Sequence, residues 1–215
     1  MLELASLADS MTNPEKLFES LLQGRDHSRL PPVQNWHPVL NGDLDMRIDK
    51  NGVWHYQGGA IRRRSMVKMF STILKREGDE YFLVTPVEKW RINVEDVPFI
   101  ICQVRVVPES QTCKKIQTEK SGQGGDVKKQ ALVFATTVDS ELVLGPDNPL
   151  WLVEDAESGE PRPYIKVRNN LHGLLQRHVF YHLVEMAVPE TVQGCNKLGV
   201  WSLGHFYSLG NNPEI

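Results

Sequence analysis

The chain has 215 residues, of which 40% are hydrophobic and 24% charged, and its formal net charge is −3. That is ordinary globular usage, which excludes wholesale disorder, and the length allows one large domain or two small ones. A slightly acidic chain has no overall field to gather nucleic acid, so any such binding needs a local basic patch.

The segment from Met1 to Met11 has no basic start followed by an apolar core, and no apolar run approaches the roughly 20 residues that span a bilayer. Cys102, Cys113 and Cys195 stand at unrelated spacings without a C-x-x-C pair, so buried thiols are expected rather than a disulfide or a zinc site. These features together predict a cytoplasmic protein with no membrane partner.

In chain order, Asn13 is a good helix N-cap, Pro14 fits the first helical position and Glu15 the first turn. Leu17, Phe18, Leu21 and Leu22 then form one stripe before Gly24. The connector from Asp26 to Pro38 is proline-rich and aperiodic. From Asp43 to Asp49 the alternation is strict: Leu44, Met46 and Ile48 on one face, Asp43, Asp45, Arg47 and Asp49 on the other. Asp49-Lys50-Asn51-Gly52 signals a turn, and Val53 to Gln57 resumes as the partner strand of a hairpin. After Gly58-Gly59 and a short restart at Ala60-Ile61, the spacing of Met66, Val67, Met69, Phe70, Ile73 and Leu74 predicts a helix from Arg64 to Arg76. Gly78-Asp79 ends it, and Tyr81 to Thr85 reads as a strand stopped by Pro86.

The second half is richer in strands. Runs are expected at Trp90 to Val94, Phe99 to Val107, Cys113 to Glu119, Gln130 to Thr137, Glu141 to Leu144, Leu150 to Val153 and Tyr164 to Val167, with polar or Pro/Gly breaks between them. The glycine-rich stretch from Glu119 to Lys129 reads as a hairpin tip. A second helix is expected from Asn170 to Ala187, kinked near Gly173, followed by a closing hairpin with strands near Leu198 to Leu203 and Phe206 to Leu209. Two stretches share a layout: Trp54-His55-Tyr56 leading into the first helix, and Tyr164 to Val167 leading into the second. The fold class is therefore α+β, with a duplicated strand-helix motif. After a helix and connector over 1–30, two subdomains meet near Pro86, an α+β part over 31–86 and a strand-rich part over 87–215, each with a helix on a mainly antiparallel sheet.

Three clusters carry candidate chemistry. On the first hairpin, Asp43 and Asp45 lie about 7 Å apart by strand rise, beside Arg47 and with Trp54 and Tyr56 on the partner strand. That set could hold a cation or work as acid and base, or it could be a solvated face with Arg47 pairing locally. Arg62, Arg63 and Arg64 precede the first helix, where the dipole favours anions rather than cations, so they hint at an anionic partner; Lys68 and Lys75 extend this as an exposed basic stripe. A solvated basic face is the plainer alternative. His178 and His182 share a helix face but lack the intervening glutamate of a zinc-protease helix, so a packed or surface histidine pair is expected. Gly122, Gly124 and Gly125 lack the lysine and helix start of a phosphate loop, and Cys195 has no histidine assignable as its base. No catalytic residue, cofactor, structural zinc or other metal is expected.

Asn41-Gly42-Asp43-Leu44-Asp45-Met46-Arg47-Ile48 with Gly52-Val53-Trp54-His55-Tyr56, the helix run from Met66 to Glu77, Tyr81 to Lys89, and the tail Gly199-Val200-Trp201-Ser202 resemble the bacterial family catalogued as domain of unknown function 1285. The likeness covers most of the chain after the N-terminal helix and departs around Ser121 to Asp126. It implies a two-domain α/β architecture with a duplicated core motif, a second domain superficially like pleckstrin-homology folds, and a signalling role with a nucleotide- or nucleic-acid-like ligand between the domains. The family carries no established activity.

The functional expectation is a non-enzymatic regulatory or sensory protein binding a small anionic, nucleotide-like ligand between its halves. Its pocket is expected to be lined by Asp43, Asp45, Arg47, Trp54, Tyr56 and Arg62, with Thr85 and Glu88 on the segment that crosses from one half to the other. The alternatives are a divalent-metal-dependent hydrolase or transferase using Asp43, Asp45 or Glu88, and an adaptor whose basic helix face docks an acidic partner.

Overall fold

In the computed structural model the described residues are 30–111, 129–156 and 158–211. The expected helix over Asn13 to Gly24, the strand from Cys113 to Glu119 and the glycine-rich stretch around Ser121 to Asp126 lie outside them. The chain divides into two compact units, Met1–Pro98 and Phe99–Ile215.

The N-terminal unit opens with a 3-10 turn at Val33–Asn35 and continues with β1 (Leu40–Ile48), β2 (Trp54–Tyr56), β3 (Gly59–Ala60), α1 (Arg64–Thr72), β4 (Leu74–Glu77), β5 (Glu80–Val84) and β6 (Lys89–Val94). One sheet runs β3-β2-β1-β6-β5-β4, antiparallel except for the central β1/β6 pair. The β1–β2 hairpin closes as its turn residues dictate. Gly52 takes φ 77°, and its N–H donates to the Asp49 carbonyl at 2.9 Å. The Asp49 carboxylate accepts from the N–H groups of Asn51 and Val53, both at 2.9 Å, and lies 3.1 Å from His55 Nε2. Burial alone would raise the Asp49 pKa, but the Val53 N–H, His55 and the Asn51 N–H together hold it below its ordinary range.

Two expectations need correction here. The first helix stops at Thr72, four residues short of Arg76, because Leu74–Glu77 turns at Gly78 and pairs with β5. Lys, Arg and Glu are good helix formers, but their ladder partners and the burial of Leu74 override that preference. The division falls at Pro98 rather than near Pro86, because β6, which follows Pro86, pairs with both β1 and β5 and so belongs to the first sheet.

The C-terminal unit holds β7 (Phe99–Pro108), a 3-10 turn at Glu109–Gln111, β8 (Gln130–Thr136), β9 (Glu141–Val143), β10 (Leu150–Glu154), β11 (Pro161–Arg168), β12 (Leu171–Leu175), α2 (Arg177–Glu185), β13 (Val188–Val192), β14 (Cys195–Ser202) and β15 (His205–Asn211). The first six strands form a sheet ordered β10-β11-β12-β7-β8-β9, again with a central parallel pair, β12/β7. The last three form an antiparallel meander. The second helix begins at Arg177, not Asn170, since Leu171–Leu175 is a strand whose buried Leu171, Gly173 and Leu175 alternate with half-buried neighbours. Gly173 sits where an added Cβ would come within 3.1–3.3 Å of Val167, Ile101 and Phe99, so a side chain there would crowd the sheet.

The two main sheets share one connectivity. Numbering each set of six strands from its own start, both read 3-2-1-6-5-4, with the first and sixth strands parallel. The duplication is one of strand order. The helices do not correspond: α1 links the third and fourth strands of its unit, whereas α2 follows the sixth. The architecture is α+β, mostly strands, with two α-helices among the described residues.

Each sheet buries one apolar face under a helix stripe. In the first unit Met66 and Phe70 of α1 are buried, and Phe70 stacks on Trp54 with centroids 6.3 Å apart. In the second, Val179 and Leu183, one turn apart on α2, are 1% and 0% exposed. Each such side chain contributes about 1.5–3 kcal/mol through burial. Ser202 of β14, wholly buried, ties the meander to the larger sheet. Its hydroxyl accepts from the Leu132 N–H at 3.0 Å and donates to the Leu144 carbonyl at 2.7 Å.

Candidate functional site

Among the described residues, those expected to line the ligand pocket stand on different faces of the first sheet. Cross-strand register pairs Ile48 with Trp54, Arg47 with His55 and Met46 with Tyr56. Directly opposed residues share a face, so Trp54 and Tyr56 lie with Met46 and Ile48 on the apolar side, and His55 is the β2 neighbour of Arg47. Trp54 is 1% exposed and packed on Phe70, so its ring is a core element rather than a stacking platform. Its indole N–H is buried without a hydrogen-bond acceptor among the described residues.

The polar face is an ion-pair lattice. Asp43 pairs with Arg91 at 3.1 Å, and Arg91 also reaches Glu80 at 2.9 Å. Arg47 binds Glu95, and that contact together with the Lys50 N–H at 3.0 Å holds the Glu95 carboxyl below the usual range. Asp45 is exposed beside them. This is the local pairing of a solvated face.

Thr85 and Glu88 do not cross between halves. They close the β5–β6 hairpin: the Thr85 N–H donates to the Glu88 carbonyl at 2.9 Å, and the Thr85 hydroxyl accepts from the N–H groups of Val87 and Glu88. Arg62, Arg63 and Arg64 are exposed at the start of α1, and Arg63 occupies its N-cap without a side-chain cap bond. Lys68 is exposed, but Lys75 is not part of a basic stripe. It sits on β4, 4% exposed, donating to the Trp36 carbonyl at 3.0 Å and pairing with Glu77 at 3.1 Å. Among the described residues no three His, Cys, Asp or Glu side chains gather as a metal site.

Concave geometry with polar groups occurs elsewhere, in the C-terminal unit. A groove of about 230 Å³ lies where α2 crosses the sheet, lined by Cys102, Gln103, Val104 and Arg105 of β7, Val133 and Ala135 of β8, Glu141 of β9, and His178, Val179 and His182 of α2. Its construction follows from three periods. The i, i+4 spacing sets His178 and His182 on one helix face beside the buried Val179. A bulge between Ile101 and Gln103 then brings Gln103 opposite Ala135 and Arg105 opposite Val133, so that the two polar side chains stand on the face of β8's small residues. Glu141, opposite Ala135, completes the row from β9.

The polar groups are disposed unequally. His178 Nε2 lies 2.9 Å from the Cys102 carbonyl, an acceptor only, so Nε2–H donates and Nδ1 remains for other partners. Arg105 and Glu141 form an ion pair of 2.9 Å diagonally across β8, with side chains 56% and 59% exposed. Gln103 and His182 have no side-chain hydrogen bond or ion pair among the described residues. The Cys102 thiol, half-buried, points to the Ala135 carbonyl at 3.5 Å. Cys195 departs from the expectation of buried thiols, being exposed beside the β13–β14 turn.

Of these lining residues, the sequence had singled out only the histidine pair and Cys102. Gln103, Arg105 and Glu141 carry no motif, and only the alternation along β7 could have pointed to the first two.

The N-terminal domain of a family described as "Domain of unknown function (DUF1285)" matches residues 31–97, and the C-terminal domain of the same family matches residues 116–209. No curated protein matches the chain. The crystal structure of a DUF1285 family protein from Silicibacter pomeroyi DSS-3 is 39% identical, covers 92% of this chain and 96% of its own, and superposes with a TM-score of 0.74. Another DUF1285 family protein, from Shewanella baltica OS155, is 26% identical over 66% of this chain and 91% of its own, with a TM-score of 0.46. With both family domains matched in order and a relative aligned over nearly its whole length, the chain belongs to the DUF1285 family.

Proposed function

We propose that this protein is a non-enzymatic regulatory or sensory protein of the cytoplasm, and that it binds a small anionic ligand in the groove between α2 and strands β7 to β9. The carrying observation is convergence. A guanidinium, two imidazoles and a primary amide surround a floor of Val133, Ala135 and Val179. Arginine supplies a planar fork for phosphate or carboxylate, His182 supplies an N–H donor, and the valines take up apolar surface.

Size narrows the ligand. Pockets that enclose drug-sized molecules run from roughly 300 to 1,000 Å³, and this groove is smaller, at about 230 Å³. It suits a phosphate, a small carboxylate, or the phosphate end of a nucleotide whose base stays outside. No Trp, Tyr or Phe ring lines the groove, so the stacking expected of Trp54 has no counterpart there. Cysteines without paired spacing fit a reducing compartment.

A thermal-shift panel of nucleoside monophosphates, inorganic phosphate, short carboxylates and divalent metals tests this reading. A rise in melting temperature with a phosphate or carboxylate, lost in Arg105→Met, is the expected result. A rise with a metal alone would replace it with the metal-dependent reading.

A further inference from the structure

We propose that Glu141 is a built-in competitor for the ligand: its carboxylate holds the Arg105 guanidinium until an incoming anion takes its place. This rests on the groove being the ligand site. Three observations carry it. The Arg105–Glu141 pair spans the groove floor diagonally, from β7 to β9 over Val133 and Ala135 of β8, so the carboxylate occupies the Nη2 donor on the side where an anion over that floor would meet the guanidinium. Both side chains are more than half exposed and meet at 2.9 Å, which makes the pair an exchangeable contact rather than a structural one. The other polar groups along the same groove, Gln103 and His182, are left without side-chain partners among the described residues, so the site's one strong anion-binding group is also the one held by an internal anion.

One carboxylate leaves the guanidinium, one phosphate or carboxylate arrives, and Glu141 swings to solvent from an already exposed position. The chemical class follows: Glu141 makes a single contact with the guanidinium, Oε2 to Nη2, so an oxyanion able to take both points of the fork outcompetes it, which phosphate and carboxylate can do and halide or neutral amide cannot. The latch also sets a threshold, since ligands that bind through apolar contact alone gain nothing from opening it.

The test is an NMR titration of wild type, Glu141→Gln, Arg105→Met and a control, Glu160→Gln, with inorganic phosphate and with adenosine monophosphate. Glu160 pairs with Arg177 at the start of α2 and does not line the groove. Exposed ion pairs are worth up to about 1 kcal/mol, so Glu141→Gln should tighten binding by up to about fivefold, while Arg105→Met weakens it and Glu160→Gln leaves it unchanged. Equal tightening in Glu160→Gln would reduce the effect to net charge and overturn the latch. Unchanged affinity in Glu141→Gln, with binding lost in Arg105→Met, would overturn the latch and leave the site standing. If neither probe shifts groove resonances in wild type or Glu141→Gln, both the latch and the site fall together.

Discussion

Replacing Ser202 by alanine removes one oxygen and should unsettle a whole strand junction. The hydroxyl is 0% exposed and serves two backbone groups, accepting from Leu132 N–H and donating to Leu144 C=O. In Ser202→Ala the Leu132 N–H is left buried without that acceptor, since Leu132 is itself 0% exposed. A buried donor stripped of its partner costs about 1–3 kcal/mol, and the Leu144 carbonyl adds to that. Against a total of about 5–15 kcal/mol for an ordinary domain, this is a large fraction. The loss also reaches the groove, because Leu132 precedes Val133 on β8. Urea unfolding followed by circular dichroism and by tryptophan fluorescence should show a lower midpoint at unchanged slope. Amide exchange at Leu132 should accelerate by more than tenfold, as each 1.4 kcal/mol is a factor of ten. Ser208→Ala serves as the control: its hydroxyl is exposed and makes a single 3.3 Å contact. A Ser202→Ala protein within 0.5 kcal/mol of wild type, with Leu132 still protected, would refute the reasoning.

Gly199→Ala should destabilise the meander by about 1–3 kcal/mol or more, because an added Cβ would fall 2.3 Å from the Tyr207 carbonyl and 2.5 Å from the Phe206 ring; thermal melting checks it. Glu77→Gln should cost about 1–3 kcal/mol by taking one partner from the buried Lys75 ammonium, and the double variant Glu77→Gln with Lys75→Met should recover part of it in the same assay. Asp49 has a folded pKa below its ordinary value of 3.8, so its contribution is whole above that pH and fades as the pH falls through the folded value. Asp49→Asn should therefore lower stability at neutral pH and flatten the acid side of the stability–pH curve.

Much of the fold was legible where one period dominates. Along β1, Leu44, Met46 and Ile48 alternate with charged residues, and the Asp49–Gly52 turn is written in its own side chains. The helix ends were less legible, because Leu74 to Glu77 has helical propensity and only its pairing with β5 makes it a strand. Leu171, Leu175, Val179 and Leu183 fall four apart across a strand and a helix, so one regular spacing concealed two elements. The face of Trp54 was open to deduction: with Asp49 and Val53 closing the turn, Ile48 must oppose Trp54, which places the indole in the core. The groove was not open to it. Arg105, the Ala135–Glu141 hairpin pair and His182 are distant in sequence, and only the strand order β7-β8-β9 with α2 above it brings them together.

Where an anion binds decides whether the groove is the ligand site. A titration of isotope-labelled protein with inorganic phosphate and nucleoside monophosphates, followed through backbone amides and histidine ring protons, reads this out residue by residue. Saturable shifts are expected at His178 and His182 and at the amides of residues 102–105 and 133–135. Shifts gathered instead around Asp43, Arg47 and Arg62, with the groove silent, would contradict that assignment.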